Sequence, residues 1–253
     1  MTVEFYTGGD IEVSLFNKLN NQTFGEPCRM KLGLIGGTGG MGEGFALRWS
    51  SKYDVIIGSR EAQKAKDAAK TYMKVAKESY GNSMTGSITG DENLAVTKSS
   101  DILLLSIHYE HILDTCSQLS KLLRDDCIVI TPIVPMEKTG AGFVYIPLEQ
   151  AMKPAAEIVA DHLPPRSRIV SAFHTISEAR LKNMNESLNS DTFVCGDDRN
   201  IVSKVNSLIS EIAGLRPIYL GPLSISYQAE ILTPMLLNSA HRNKIKNPGL
   251  RIV

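Results

Sequence analysis

The chain has 253 residues, with 27 basic and 27 acidic side chains and no formal net charge at neutral pH. This length suffices for one large domain, or for a large domain with a smaller one. The neutral balance disfavours a general binder of nucleic acids or anionic membranes, and the apolar runs are far shorter than the roughly 20 residues of a membrane span, so we expect no nucleic-acid partner and no membrane partner.

Residues 1–29 precede the first clear pattern and are interpreted as an N-terminal extension. They lack the cationic and apolar regions of a secretory signal. Three interpretations stay open: a flexible extension, a strand or helix docked on the body, or an upstream start codon with Met30 as the natural start. We expect a peripheral segment without a catalytic role.

A short apolar run, Lys31–Ile35, leads into a glycine-rich loop, and helix-like sequence follows over residues 43–49. Gly37, Gly39 and Gly42 fit the pattern G-x-G-x-x-G. In that pattern the first glycine permits a tight turn, the second lets the backbone approach a pyrophosphate, and the third lets the helix pack on the strand. A plain strand-to-helix connection is the alternative. The flanking strand and helix favour a dinucleotide site, in which N–H groups at the helix start bind the anion.

The second predicted strand, residues 53–58, ends in Ser59 and Arg60. An NAD site would place a carboxylate there to accept a hydrogen bond from the ribose 2′-hydroxyl. Arginine instead makes forked, charge-assisted bonds to a 2′-phosphate. Lys64 follows one helical turn after Arg60 on the same face, and Thr38 lies close by. Solvated charges are the alternative, but cations are disfavoured at a helix start, so the pattern favours NADP over NAD.

Strands and helices alternate over the rest of the first 173 residues. Apolar runs at residues 101–107, 127–131 and 168–173 predict strands buried on both faces. The sequence also predicts helices at residues 61–80, 91–98, 110–123 and 148–163, and a short strand at 87–89. This alternation predicts an α/β fold with a doubly wound parallel sheet of Rossmann type, in which residues 30–173 form an NADP-binding domain.

Residues 174–253 have a different pattern of strands and helices, which predicts a smaller C-terminal α/β domain that completes the cleft. We expect strands at residues 191–196 and 215–220, a helix capped by Asp197 and Asp198 that runs to about residue 213, and a closing helix over about 226–246. Ligands in open α/β sheets bind beyond the carboxyl ends of the strands. The cleft should therefore be walled by residues 106–109, 131–135 and 173–176.

The cysteines give no sign of a disulfide framework or a metal site. Cys28, Cys116, Cys127 and Cys195 are scattered and form no C-x-x-C pair. This usage is typical of reduced thiols in a cytoplasmic protein. No cluster of histidines, cysteines and carboxylates has metal-ligand spacing, so we expect no metal.

A series of motifs runs through the chain in a fixed order: GGTG at 36–39, GSR at 58–60, VP at 134–135, AAEIVA at 155–160, AFHTI at 172–176, VCGDD at 194–198 and GLRP at 214–217. The series resembles the archaeal NADPH-dependent coenzyme F420 reductase family, from Met30 to near the C-terminus. The resemblance implies an oxidoreductase that transfers a hydride between NADP(H) and the deazaflavin coenzyme F420. It also implies a homodimer joined through the smaller domain.

The resemblance also implies roles for individual residues. By position, the pyrophosphate would be held by Thr38, Gly39, Gly40 and Met41, and the 2′-phosphate by Ser59, Arg60 and Lys64. The nicotinamide would be bordered by Ser106, Ile107, His108 and Tyr109, and by residues 132–135, which include Pro132 and Val134. Two places depart from the family pattern: His108-Tyr109 stands in place of Pro-Trp, and Ser177-Glu178 in place of Pro-Ala. These departures bear on the second substrate more than on NADP.

Direct hydride transfer needs the reacting atoms held about 3–3.5 Å apart and little acid–base help. His174 is the best polar candidate to hydrogen-bond the deazaflavin as charge redistributes, with a structural histidine at a strand end as the alternative. His108 can act as a general acid, or it is a simple substitution at the cleft rim. Glu178 faces His174 if that segment is helical, and is otherwise solvated.

Two further functions stay open at this point. If His108 acts as a general acid, the chain would suit an NADPH-dependent reductase of a small imine or keto substrate, like the pyrroline-carboxylate reductases. A non-catalytic NADP-binding sensor would bind the dinucleotide tightly but leave no room for a second ring. The lining of the cleft opposite the nicotinamide separates these hypotheses.

Overall fold

The computed structural model describes residues 29–146, 153–164 and 168–253. Its strands are β1 Lys31–Ile35, β2 Asp54–Ser59, β3 Ser87–Glu92, β4 Ile102–Leu105, β5 Ile128–Thr131, β6 Met136–Thr139, β7 Gly142–Tyr145, β8 Arg168–Ser171, β9 Ser190–Cys195 and β10 Leu215–Gly221. Its α-helices are α1 Gly40–Trp49, α2 Ala62–Tyr80, α3 Asn93–Ser99, α4 Ile112–Leu119, α5 Ala155–His162, α6 Glu178–Lys182, α7 Arg199–Ser210 and α8 Tyr227–Asn243. Residues 1–28, with Cys28, and the predicted start of a helix at residue 148 lie outside the described residues.

Eight strands form one sheet in the order β10-β9-β8-β5-β4-β1-β2-β3. From β3 to β8 all neighbours are parallel, with the change of direction in strand order at β1 and β4. This is the doubly wound Rossmann arrangement that the alternation predicts. Helices pack on both faces, and β1, β4 and β5 are almost entirely buried, as the apolar runs require.

The part of the sheet formed by residues 30–173 is parallel, as predicted, and the direction changes only where the C-terminal strands join it. β9 pairs with β8 in the antiparallel direction through Ser171 and Cys195, and β10 then runs parallel to β9. A parallel connection needs an element that crosses back along the sheet. The chain between β8 and β9 carries only the five-residue α6, which packs on α1 at the cleft edge. The C-terminal part therefore extends the same sheet in reverse, and the division at residue 174 into two domains stays a prediction.

A cluster of three rings joins the first helix to the end of β8. Phe45 and Trp49 stack with ring centroids 4.8 Å apart, and Phe173 meets Phe45 edge-on at 4.7 Å. All three side chains are buried. Phe173 adopts a positive φ of 75°, so the backbone turns sharply just before His174. Burial of the Phe173 ring therefore sets the direction in which the next residues leave the sheet.

Most predicted elements form within a few residues of their expected bounds, and three elements, two strands and a helix, were not predicted. Asp198 caps α7, accepting from the N–H groups of Asn200 at 2.8 Å and Ile201 at 3.3 Å. The β6–β7 hairpin and α6 have no counterpart in the sequence analysis. Cys116, Cys127 and Cys195 are buried free thiols. Within the described residues, no helix is long and apolar enough to cross a membrane.

Candidate active site

The glycine loop after β1 makes a left-handed turn at Gly36. Gly36 has φ of +72°, and a Cβ there would lie 2.3 Å from the backbone oxygen of Ser106. Gly37, assigned to the tight turn from the pattern, lies in that turn: its N–H donates to the oxygens of Leu34 at 3.0 Å and Gly58 at 3.1 Å, and a Cβ there would lie 2.7 Å from the Leu34 oxygen. The positive φ falls on Gly36, a position for which the pattern makes no prediction.

The other two glycines of the pattern have the geometry expected of them. A Cβ on Gly42 would lie 2.5 Å from the Cα of Gly37, so α1 can approach the loop only with glycine at this position. A Cβ on Gly39 would meet nothing closer than 3.6 Å, which leaves its outer side open. Gly39 is the N-cap of α1 and no side chain among the described residues caps this helix. Its first N–H groups are therefore available to an anion.

Ser59 ends β2, and Arg60 and Lys64 follow it, outside the apolar part of the cleft. Ser59 is the last residue of β2, and its Oγ accepts from the N–H of Glu61 at 3.3 Å. Arg60 and Lys64 are exposed. α2 begins at Ala62, so Arg60 lies in the loop and the expected helical face shared with Lys64 does not exist. Both cations nevertheless stand at the same end of α2, beside the glycine loop.

A cleft of about 670 Å³ opens at the carboxyl edge of the sheet, within the range of small-molecule sites. Its lining brings together most of the predicted site residues: Gly39, Gly40, Met41, Ser106, Ile107, His108, Tyr109, Pro132, Val134 and His174. Gly37, Thr38, Gly42, Ser59, Arg60 and Lys64 do not line it. The remaining wall is mostly apolar and includes Ile133, Met136, Phe173, Ile176, Leu236 and Leu237. One cleft thus connects the N-terminus of α1 to an apolar slot.

His174 lies at the floor of this slot and is only 5% exposed. Burial lowers the pKa of its imidazole to about 3, so the ring is neutral near neutral pH. Its Nε2 is 3.4 Å from the Oγ of Ser171, and its Nδ1 has no partner among the described residues. Thr233 of α8 donates to the His174 backbone oxygen at 2.7 Å. A neutral, held imidazole can make one hydrogen bond to a ligand but is a poor source of a proton.

Glu178 does not face His174. The helix α6 begins only at Glu178, so the segment between the two residues is not helical and the condition for that contact is not met. The Glu178 carboxylate is half-exposed and turns to α1, where a Cβ on Gly40 would lie 1.9 Å from its Oε1. Lys182 lies one turn further along α6, with Nζ 3.1 Å from the same oxygen and 3.7 Å from Oε2 of Glu43. His108 is exposed at the rim of the cleft.

The segment that carries Glu178 is held to α1 by a buried arginine. Arg48 is 5% exposed, and burial lowers the pKa of its guanidinium. Its Nε donates to the oxygen of Leu181 at 2.9 Å. Its Nη2 donates to three more backbone oxygens, those of Arg180, Asn183 and Glu186. Four carbonyl groups in and just after α6 therefore converge on one side chain of α1.

A buried carboxylate joins α8 to the β6–β7 hairpin and α5. Glu230 is 0% exposed. It accepts from Tyr145 Oη at 2.9 Å, from Ser226 Oγ at 3.2 Å and from the Ala155 N–H at the start of α5 at 3.2 Å. Burial raises the pKa of this carboxyl, and the hydrogen bonds that it accepts lower the pKa by less. The cluster fixes the outer wall of the slot, where Met136 and Leu236 lie.

The C-terminal residues close the last side of the cleft, where Asn247 and Pro248 line it. Asp191 holds this tail. Its N–H donates to the oxygen of Leu250 at 2.7 Å, and its carboxylate accepts from the Ile252 N–H at 2.7 Å and twice from Arg216 at 2.8 Å. The Arg216 guanidinium lowers the pKa of Asp191.

Sequence reasoning did not assign four contributors to the cleft: the hairpin, α6, the inward side of the predicted closing helix α8, and the tail. The hairpin had a signal, since residues 136–145 form two short runs around Gly140 and Gly142. The inward residues of α8 and the tail had none, because their partners lie far away along the chain. In the part of the chain that the structure describes, no three histidines, cysteines or carboxylates are placed to hold a metal ion.

Comparison with known proteins gives consistent results. Residues 31–135 match the family model described as NADP oxidoreductase coenzyme F420-dependent. The F420-dependent NADP reductase of Methanocaldococcus jannaschii is 35% identical over 226 residues, covering 88% of this chain and 98% of that protein. The namesake of Methanothermobacter thermautotrophicus is 33% identical, covering 88% and 94%. A crystal structure assigned to the F420-dependent NADP reductases, from Arthrobacter sp. FB24, has a TM-score of 0.72 at 17% identity, covering 88% and 99%.

Proposed function

The chain belongs to the family of F420-dependent NADP reductases, and from that premise we propose that it transfers a hydride between NADP(H) and coenzyme F420. One observation carries this function: a single cleft joins the uncapped N-terminus of α1 to an apolar slot at the carboxyl edge of the sheet. The first part suits the phosphates of a dinucleotide, and the second suits flat rings.

We propose the following roles for the residues of the cleft and the loop. Gly37, Gly39 and Gly42 shape the loop, and the backbone of residues 38–41 binds the pyrophosphate. Ser59, Arg60 and Lys64 bind the 2′-phosphate. Residues 106–109 and 132–134 border the nicotinamide. When bound, NADPH supplies the hydride and oxidised F420 accepts it.

The residues of the slot orient rings and exclude water. Ile107, Ile133 and Leu236 present apolar side chains, which favour flat rings over solvent. The unpartnered Nδ1 of His174 is a buried polar atom that a hydrogen bond from a ligand would satisfy. The slot therefore positions two rings rather than acting as an acid or base.

The test mixes the purified protein with NADPH and oxidised F420 and follows the loss of absorbance of both. We expect turnover near neutral pH with NADPH and far less with NADH. No turnover in either direction would contradict the proposal. Tight NADPH binding without turnover would instead support a sensor.

We also propose a homodimer in the cytoplasm. Met235 on α8 and Ile245 in the tail expose large apolar side chains in the C-terminal part, where the partner is expected to pack. The three buried free thiols suit a reducing compartment. Light scattering should give twice the mass of one chain, and a monomer mass would contradict the dimer. Cell fractionation tests the location.

A further inference from the structure

The carboxylate of Glu178 reaches the glycine-rich loop from the opposite side of the cleft. Glu178 is the first residue of α6. A Cβ built on Gly40 would lie 1.9 Å from Glu178 Oε1, 2.1 Å from Cδ and 2.7 Å from Oε2. The whole carboxylate group is therefore in contact with the backbone of the first residue of α1.

This is the position where the proposed function requires an anion. The N-terminus of α1 carries the positive end of the helix dipole, and no side chain among the described residues caps it. Gly40 and Glu178 line the same cleft. A pyrophosphate bound along residues 38–41 and a carboxylate in contact with Gly40 repel each other, because both are negative and only a few ångströms apart.

A nearby cation pairs with the carboxylate while it contacts Gly40. Lys182 Nζ lies 3.1 Å from Glu178 Oε1 on the same helix, and it also reaches Glu43 at 3.7 Å. The Glu178 side chain is 51% exposed, so it can rotate toward solvent without breaking the packing of α6. Lys182 therefore neutralises part of the Glu178 charge at the place where a bound phosphate would meet it.

We propose that Glu178 is an internal competitor for the pyrophosphate site. In the protein without cofactor its carboxylate covers the N-terminus of α1, and NADP(H) must displace it to bind. Glu178 thereby lowers the affinity for the dinucleotide and takes no part in the hydride step. This inference rests on the proposed function, since the competing anion is the pyrophosphate of NADP(H).

The experiment compares the dissociation constant of NADPH for the wild-type protein and Glu178→Gln by fluorescence titration at low ionic strength. Glutamine keeps the shape and removes the charge, so we expect binding to tighten about three- to tenfold. The difference should shrink in high salt, which screens an exposed charge. Glu78→Gln is the matched control, because it changes the net charge equally on an exposed site near the other end of α2, and it should leave binding unchanged.

Lys182→Met separates competition from a merely structural role. Removing the cation should weaken NADPH binding in the wild-type background and have a smaller effect in Glu178→Gln, since the two side chains act as a pair. Equal dissociation constants for the wild type and Glu178→Gln would overturn the inference while leaving the proposed function intact. Failure of both proteins to bind NADPH would overturn both. Binding by Glu178→Gln alone would support the inference.

Discussion

The two walls of the cleft are built in different ways. The nucleotide wall is one continuous stretch, residues 36–42, whose shape comes from the backbone and from absent side chains. The acceptor wall is assembled from the segment after β8, the hairpin, α8 and the tail. These pieces meet through three buried polar side chains, Arg48, Glu230 and Asp191. The first wall depends on local spacing, and the second on contacts between residues up to 138 positions apart.

This difference indicates which wall can change without loss of the other. A glycine that meets backbone, such as Gly36 against Ser106, accepts no larger residue, because the backbone cannot move aside. The departures from the family pattern, His108-Tyr109 and Ser177-Glu178, fall on the acceptor side or at its junction with the loop. We therefore expect substitutions in the acceptor wall to change stability and the second substrate, and substitutions beside the loop to change NADP binding.

The strongest test breaks the anchor of the acceptor wall. Arg48→Met keeps the apolar stem but removes the donors for four backbone oxygens. Since buried acceptors left without donors are costly, we expect the free energy of unfolding to fall by about 3 kcal/mol. The KM for F420 should rise, because α6 is no longer fixed. Denaturant unfolding and steady-state kinetics measure the two effects.

Arg124→Met is the matched control for Arg48→Met. Arg124 makes ion pairs with Asp101 and Asp126 at the surface, and such pairs contribute at most about 1 kcal/mol. A loss of stability in Arg48→Met no larger than in Arg124→Met would show that the four carbonyl bonds do not hold the wall.

The second test changes the nucleotide side alone. Arg60→Ala removes a cation that has no ion pair within the described residues and that we assign to the 2′-phosphate. Charge-assisted bonds of this kind are worth about 1.5–3 kcal/mol, so the KM for NADPH should rise roughly ten- to a hundredfold, with little change for NADH. Lys66→Ala, an exposed lysine on α2, is the control. An unchanged preference for NADPH would place the 2′-phosphate elsewhere.

The walls also differ in how far the sequence predicts them. The glycine pattern and the strand end at Ser59 predict a nucleotide site at this edge of the sheet, because both signals lie within about 30 consecutive residues. Buried strands such as β4 and β5 were predicted because apolar runs report burial on both faces. The pattern gives the spacing of the glycines but not their φ angles, so the positive φ of Gly36 was not predicted.

The acceptor wall was only partly predicted, for a physical reason. His174 was found because it follows a strand, whereas the direction of Glu178 depends on the antiparallel turn between β8 and β9. The strands are antiparallel because the segment between β8 and β9 contains no helix long enough to cross back along the sheet. Arg48 gave no signal, since an arginine on a helix is usually exposed and its acceptors are backbone atoms from a distant segment.

The smallest expected effect is that of His108→Ala, which also separates F420 from an imine or keto compound as the second substrate. His108 is exposed at the cleft rim, and hydride transfer between two rings needs no acid from it. His108→Ala should therefore change kcat/KM for F420 by less than about threefold, since an exposed rim contact contributes little binding energy. Kinetics across pH measure this effect, with His241→Ala, another exposed histidine near the end of α8, as the control. Abolished turnover and a lost pH dependence would identify His108 as a proton donor. That result would favour the imine or keto substrate over F420, because only those substrates require an acid at the rim.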